Sequence, residues 1–110
     1  MKKKKSESQK EASISTQLAK EKTAFELVLT PKFLEQCQYW SRQDSKTLKK
    51  ILDLIESTSK NPFEGIGKPE ALRHEGSGLW SRKIDEVNRF VYKVDKGKIE
   101  LLQCRFHYND

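Results

Sequence analysis

The chain closes on Cys104-Arg105-Phe106-His107-Tyr108-Asn109-Asp110. A guanidinium, an imidazole and a phenol thus stand within four consecutive positions of a strand-like run. Histidine alone among the common side chains changes charge near neutral pH, so His107 can give or take a proton. A tyrosine beside it can position a leaving group or stack on a base. Such groups suit acid–base chemistry. Chain ends, however, usually carry little chemistry, and a histidine closing a strand is more often packed or simply exposed. Cys37 and Cys104 lack metal-ligand spacing and read as two reduced, buried thiols. No cluster of Asp and Glu has metal-site character, so neither metal nor cofactor is expected.

The elements that must hold such groups can be read along the chain. Ala24–Thr30 (AFELVLT) is a short run of strand formers. Thr30 can cap a helix and Pro31 suits its first position, predicting a helix over about 31–41 with Phe33, Leu34, Cys37 and Trp40 inward. Asp44 is a candidate cap for a second helix, about 45–58, whose stripe is Leu48, Ile51, Leu52 and Ile55. Asn61-Pro62 ends it. A long loop rich in Gly and Pro follows over 61–78, and its length in so small a domain points to function. Three strand-like runs come next: 79–84, 89–94 and 98–108. The order β-α-α-β-β-β predicts an α+β fold, an antiparallel sheet covered on one face by a two-helix hairpin.

With 110 residues the chain holds one domain. It carries 22 Lys or Arg and 16 Asp or Glu, a net charge of +6. Residues 1–23 hold seven Lys and three Glu and almost nothing apolar. They read as a flexible, disordered basic arm, with the folded domain over 24–110. The basic start is followed by no apolar stretch and is not read as a secretory signal. No run approaches the ~20 apolar residues that span a bilayer. A cytoplasmic location, away from membranes, is expected.

The runs NPFEGIGKPEALRHEGSGLWSRKI, NRFVYKV and CRFHY resemble the YoeB/Txe branch of the RelE-like toxins over about residues 25–108. The resemblance implies a type II toxin–antitoxin system and a ribosome-dependent endoribonuclease that cuts mRNA in the A site. It also implies a RelE-like fold and an inhibitory antitoxin of YefM/Axe type, with the ribosome and mRNA as further partners. A homodimer is compatible with it. Position by position, Glu70, Arg89, His107 and Tyr108 match the family's catalytic residues. Arg73 stands where the family usually has Lys, and Lys83 where it usually has Arg. Val87-Asn88 replaces the Glu-His pair of close relatives.

In those terms Glu70 is the base toward a ribose 2′-OH, His107 the acid toward the departing 5′-oxygen, and Arg89 the phosphate clamp. Tyr108 assists beside His107. Arg73, Lys83 and Lys68 would bind flanking phosphates, while His74 either supports its loop or contacts RNA. Taken singly, each residue has an ordinary structural reading; the constellation carries the functional one. The competing expectation is a non-catalytic module of the same fold that docks on RNA or antitoxin.

Strand parity adds a geometric expectation. A three-residue turn at Asp95-Lys96-Gly97 sets Arg89 opposite Gln103, on the face shared with Arg105 and His107. A two-residue turn would put Arg89 and His107 on opposite faces unless a C-terminal twist redirects the histidine.

Overall fold

A computed structural model of the chain describes residues 25–72 and 77–107. The basic arm therefore lies outside the described residues, as do Arg73, His74 and Tyr108. The elements are β1 (Glu26–Leu29), α1 (Pro31–Gln43), α2 (Ser45–Lys60), β2 (Glu70–Ala71), β3 (Leu79–Lys83), β4 (Arg89–Asp95) and β5 (Lys98–Gln103). They form an α+β fold with one five-stranded sheet, ordered β1-β5-β4-β3-β2. The expected antiparallel sheet is mixed, because β1 runs parallel to β5.

The helices start where local chemistry directs. The Thr30 hydroxyl accepts the Phe33 amide at 3.3 Å and donates to the Leu101 carbonyl at 2.8 Å, so one side chain caps α1 and ties it to β5. Asp44 alone links the helices and caps α2 by accepting the Lys46 and Thr47 amides. Hydrogen bonds from Thr47, side chain and backbone, hold its carboxyl below the usual value. The inward residues of α2 are Ile51, Leu54 and Thr58, flanked by Leu48 and Ile55. Leu52, expected inward, is 52% exposed, as Leu34 of α1 is 47% exposed.

The helices cover one face of the sheet, where Phe90, Tyr92, Ile99 and Leu101 meet Phe33, Trp40, Ile51 and Leu54. Alternation sends the neighbours of these strand residues to the other face. Val91 is fully buried yet lies outside this cluster, as a residue on the floor of the opposite face must.

Two details of the β4–β5 hairpin overturn the parity expectation and then restore part of it. The turn has two residues, not three: Asp95 pairs with Lys98. Lys96 and Gly97 both take positive φ, 46° and 79°, as a right-twisting two-residue hairpin turn requires. Further along, Tyr92 pairs with Leu101 but Val91 with Gln103, so Leu102 is a bulge. The extra residue moves Gln103 to the face of Val91 and turns Cys104 into the helix-side core. The strand also stops at Gln103 rather than running to 108. The Trp40 indole donates to the Cys104 carbonyl at 2.9 Å, and the Cys104 amide donates to Gln36 Oε1 at 2.7 Å. Both contacts pull the chain toward α1.

The two cysteines, expected to be reduced and buried, face each other with their sulfurs 3.9 Å apart. Cys104 is buried and Cys37 half-buried. The hydrogen bond between them, followed by burial, pushes the Cys104 thiol up; the same bond lowers Cys37. Iodoacetamide should therefore alkylate Cys37 in the native protein and reach Cys104 only after denaturation. Peptide mass mapping checks this, and equal labelling of both thiols would contradict it.

Candidate active site

The loop after α2 is shaped by a buried arginine. Arg82 is fully buried on the helix-facing side of β3. Its Nε donates to Tyr92 Oη at 3.1 Å, and Nη1 to Ser57 Oγ at 2.8 Å and the Ile66 carbonyl at 3.0 Å. Nη2 donates to the carbonyls of Asn61 at 2.7 Å and Glu64 at 3.1 Å. All five donors are used, and the Tyr92 hydroxyl in turn donates to the Pro62 carbonyl. Burial raises the Tyr92 phenol's pKa, partly offset by Arg82, so it stays a neutral donor. Gly65 and Gly67, with φ of 132° and 82°, let the loop press against this guanidinium; a Cβ on Gly67 would lie 2.8 Å from Leu54 and 3.0 Å from the Arg82 Cβ.

The loop then delivers the first candidate residue. The Lys83 amide donates to the Gly67 carbonyl at 2.7 Å, Lys68 takes a φ of 52°, and the chain enters β2. Glu70, expected in a loop, pairs with Ser81 as part of this short edge strand. Ser81 pairs with Val91, and Lys83 with Arg89. Directly paired residues share a face. Glu70, Ser81, Lys83, Arg89, Val91 and Gln103 therefore all belong to the face away from the helices. Strand spacing puts the Glu70 and Arg89 Cα atoms about 12 Å apart, two strands over and two residues along. Glu70 is exposed and Arg89 half-buried.

Arg89 is oriented by the turn before it. Its Nη1 donates to the Asp85 carbonyl at 2.6 Å and the Asn88 carbonyl at 3.2 Å. That turn is closed by the Asp85 carboxylate, which accepts the Val87 and Asn88 amides and the Asn88 side chain. Burial pushes the Asp85 carboxyl up. Hydrogen bonds from the Asn88 side chain, the Asn88 and Val87 amides, and the charge of Lys50 outweigh it and hold it below the usual value.

The C-terminal segment reaches Arg89 through the same turn. The Arg89 amide donates to the Phe106 carbonyl at 3.0 Å, and the Phe106 amide to Asn88 Oδ1 at 2.7 Å. His107 thus follows a residue bonded to the base of the arginine, and it is exposed. The turn of the second parity alternative is present, and the chain bends at 104–106 after β5, so strand alternation does not extend to His107. Arg105 turns away, its guanidinium 3.5 Å above the Tyr39 ring of α1.

Lys83 and Lys68 line a groove of about 420 Å3 with Lys50, Gly67, Ile84, Asp85 and Glu86. Lys83 holds Glu86 at 2.7 Å, the Glu86 side chain largely exposed and that of Lys83 partly so. Such a surface pair is weak and can be exchanged for a phosphate. Lys50 is spent on the Ile84 carbonyl at 2.5 Å. No group of three metal-ligating side chains occurs among the described residues. Nor is any described helix long and apolar enough to cross a membrane.

The sequence assigns no role to Arg82 or Asp85, marks Gln103 only as a register position opposite Arg89, and shows Asn88 only as a departure. Arg82 and Asn88 act on groups 16 to 25 and 18 residues away, which nothing local marks, whereas Asp85 and Gln103 act within three residues.

Comparison with known proteins decides the family. Residues 29–108 match the family model of the YoeB-like toxin of bacterial type II toxin–antitoxin systems. The chain belongs to this family. It is 49% identical to Toxin YoeB of Escherichia coli K12 over 70 residues, 64% of this chain and 83% of that one. Among solved structures it is similar to a YoeB/ParE toxin from Agrobacterium tumefaciens, with a TM-score of 0.70 at 42% identity over 76% of this chain and 99% of the other. It is also similar to YoeB of Staphylococcus aureus, solved as a dimer (TM-score 0.67, 38% identity) and as a YoeB–YefM complex (TM-score 0.65, 36% identity). Each covers 76% of this chain and 98% of the other. As a YoeB-like toxin, the chain is the toxin component of a type II toxin–antitoxin system.

The linkage of Asp85 to stability has a definite sign. Its folded pKa lies below the unfolded value of about 3.9, so the turn is stabilised above that pH and loses this contribution as pH falls through the folded pKa. Urea unfolding of wild type and Asp85→Asn should differ most at neutral pH and converge as acid protonates the folded carboxylate. A gap that widened on acidification would contradict the assignment.

Proposed function

We propose that this toxin is an endoribonuclease that cuts mRNA in the ribosomal A site, by acid–base catalysis without a metal. One observation carries the reading: the sheet register gathers Glu70, Lys83 and Arg89 on one open face, and the Asp85–Asn88 turn brings the segment ending in His107 to Arg89.

In this reading the Glu70 carboxylate takes the proton of a ribose 2′-OH, whose oxygen attacks the adjacent phosphorus. The bond to the 5′-oxygen breaks, and the His107 imidazolium supplies its proton. The product ends would be a cyclic 2′,3′-phosphate and a free 5′-hydroxyl. Arg89, already aimed by two carbonyls, neutralises charge on the phosphate as it builds, without reorganising at that moment. Lys83 and Lys68 take flanking phosphates along the groove, and Arg73, His74 and Tyr108 complete the contacts. Glu70 is exposed in the free chain, so the RNA and ribosome supply the desolvation that makes it an effective base. This dependence fits an enzyme that works only on its ribosomal substrate.

The partner expected is a YefM-like antitoxin, in keeping with the S. aureus neighbour, and a homodimer is admitted on the same ground. An acidic segment that folds on binding would complement the basic surface. An enzyme that acts on ribosomes would work in the cytoplasm.

Primer extension on mRNA translated in vitro tests the activity. Wild type should produce A-site cuts, and His107→Gln or Arg89→Ala should lower the cleavage rate by about 100-fold or more. Identical patterns from wild type and the double variant would remove the nuclease reading. Unimpaired growth on induction of the wild-type toxin without antitoxin would favour a module that only binds.

A further inference from the structure

The segment after β5 is held in an unfavourable shape. Phe106 takes a φ of 71°, a left-handed conformation that side chains bearing a Cβ rarely adopt. It is also 53% exposed, so little apolar burial holds it. Such a conformation persists only where its surroundings over-determine it. Here the surroundings are two side-chain amides and one backbone bond. Asn88 Oδ1 accepts the Phe106 amide at 2.7 Å. Gln103 Nε2, moved to this face by the Leu102 bulge, donates to the carbonyls of Arg105 at 2.9 Å and Phe106 at 3.3 Å. The Arg89 amide donates to the Phe106 carbonyl.

Asn88 differs from Gln103 in being itself fixed. Its Nδ2 donates to both Asp85 carboxylate oxygens, at 3.0 and 3.2 Å. This settles which way the amide faces and leaves Oδ1 free for Phe106. The Asp85 and Asn88 carbonyls also aim the Arg89 guanidinium. One four-residue turn therefore orients the arginine and holds the residue before His107.

We infer that Asn88 is a positioning residue of the catalytic site, holding the bent C-terminal segment so that His107 stands beside Arg89. The inference rests on the reading of His107 as the acid. Asn88 touches neither the RNA nor the reacting atoms; it acts through the Phe106 peptide. Misplacing a catalytic group by an ångström is enough to cost about 100-fold in rate.

The test uses the full chain and two readouts, one independent of catalysis. Asn88→Ala should speed amide exchange at Phe106 while leaving Tyr92, in the core, protected. Its single-turnover cleavage rate at saturating programmed ribosomes should fall about 100-fold with the half-saturating concentration unchanged. Asn88→Asp sets two carboxylates against each other and should be impaired in both readouts. The exchanged pair Asp85→Asn/Asn88→Asp restores donor and acceptors in mirror order and should recover both. An unchanged Phe106 exchange in Asn88→Ala would overturn the inference. So would a rate that fell only along with ribosome affinity or core protection. If wild type failed to cut RNA, the nuclease reading would fall, and Phe106 exchange alone would decide whether Asn88 holds the segment.

Discussion

A buried cation with no carboxylate partner among the described residues organises this small domain. Removing the charge of Arg82 from water is costly unless every donor is satisfied. The acceptors that satisfy it come from α2, β4 and three carbonyls of the 61–66 segment. The segment must therefore wrap around the guanidinium, and it cannot be displaced without stranding several buried polar groups. The chain leaves it at Gly67, bonded to Lys83, and only then can Glu70 find its place opposite Ser81. A charged group on the core side of the sheet thus sets the register of a carboxylate on the other side. Arg82→Leu should destabilise the protein by about 3–5 kcal/mol in urea unfolding, against about 1–2 for Tyr92→Phe, which removes a single hydroxyl.

The two faces of the sheet are used differently. One is closed by helices around aromatic and aliphatic side chains, including the edge-to-face pair Phe33 and Phe90 with centroids 5.6 Å apart. The other keeps small or apolar residues, Ser81 and Val91, on its floor and charged groups around them. The Leu102 bulge lets one strand serve both needs. Without it, Gln103 would follow Ile99 and Leu101 into the core, and Cys104 would lie on the open face. With it, an amide reaches the C-terminal segment and a thiol fills the helix side.

Much of the architecture was legible because its signals are local. Thr30-Pro31 and Asp44 act within a few residues, and both helices begin where those caps predict. The β-α-α-β-β-β order emerged from runs of strand formers and a hairpin glycine. The hairpin's detail did not: Lys96 takes a left-handed conformation that composition does not demand, and the bulge answers packing against α1. The two-residue β2 carries no hydrophobic pattern and forms only because Arg82 delivers it to the edge of β3. For the candidate site, Glu70, Arg89 and His107 came from a resemblance in their order along the chain. Asn88 looked like a departure from that resemblance and turned out to tie the turn to the C-terminal segment.

The sequence by itself determined the two helices, the four longer strands, their order and the family, since capping, periodicity and motif order are properties of neighbouring residues. Only the tertiary structure decided which face each strand residue occupies and how the C-terminal segment meets Arg89. A single bulged residue inverts side-chain alternation for everything after it, and its position follows from contacts some 65 residues away in sequence, such as those between Cys104 and Gln36 or Trp40. Hydrogen bonds of that range, to backbone groups that every residue shares, leave no mark in the local sequence.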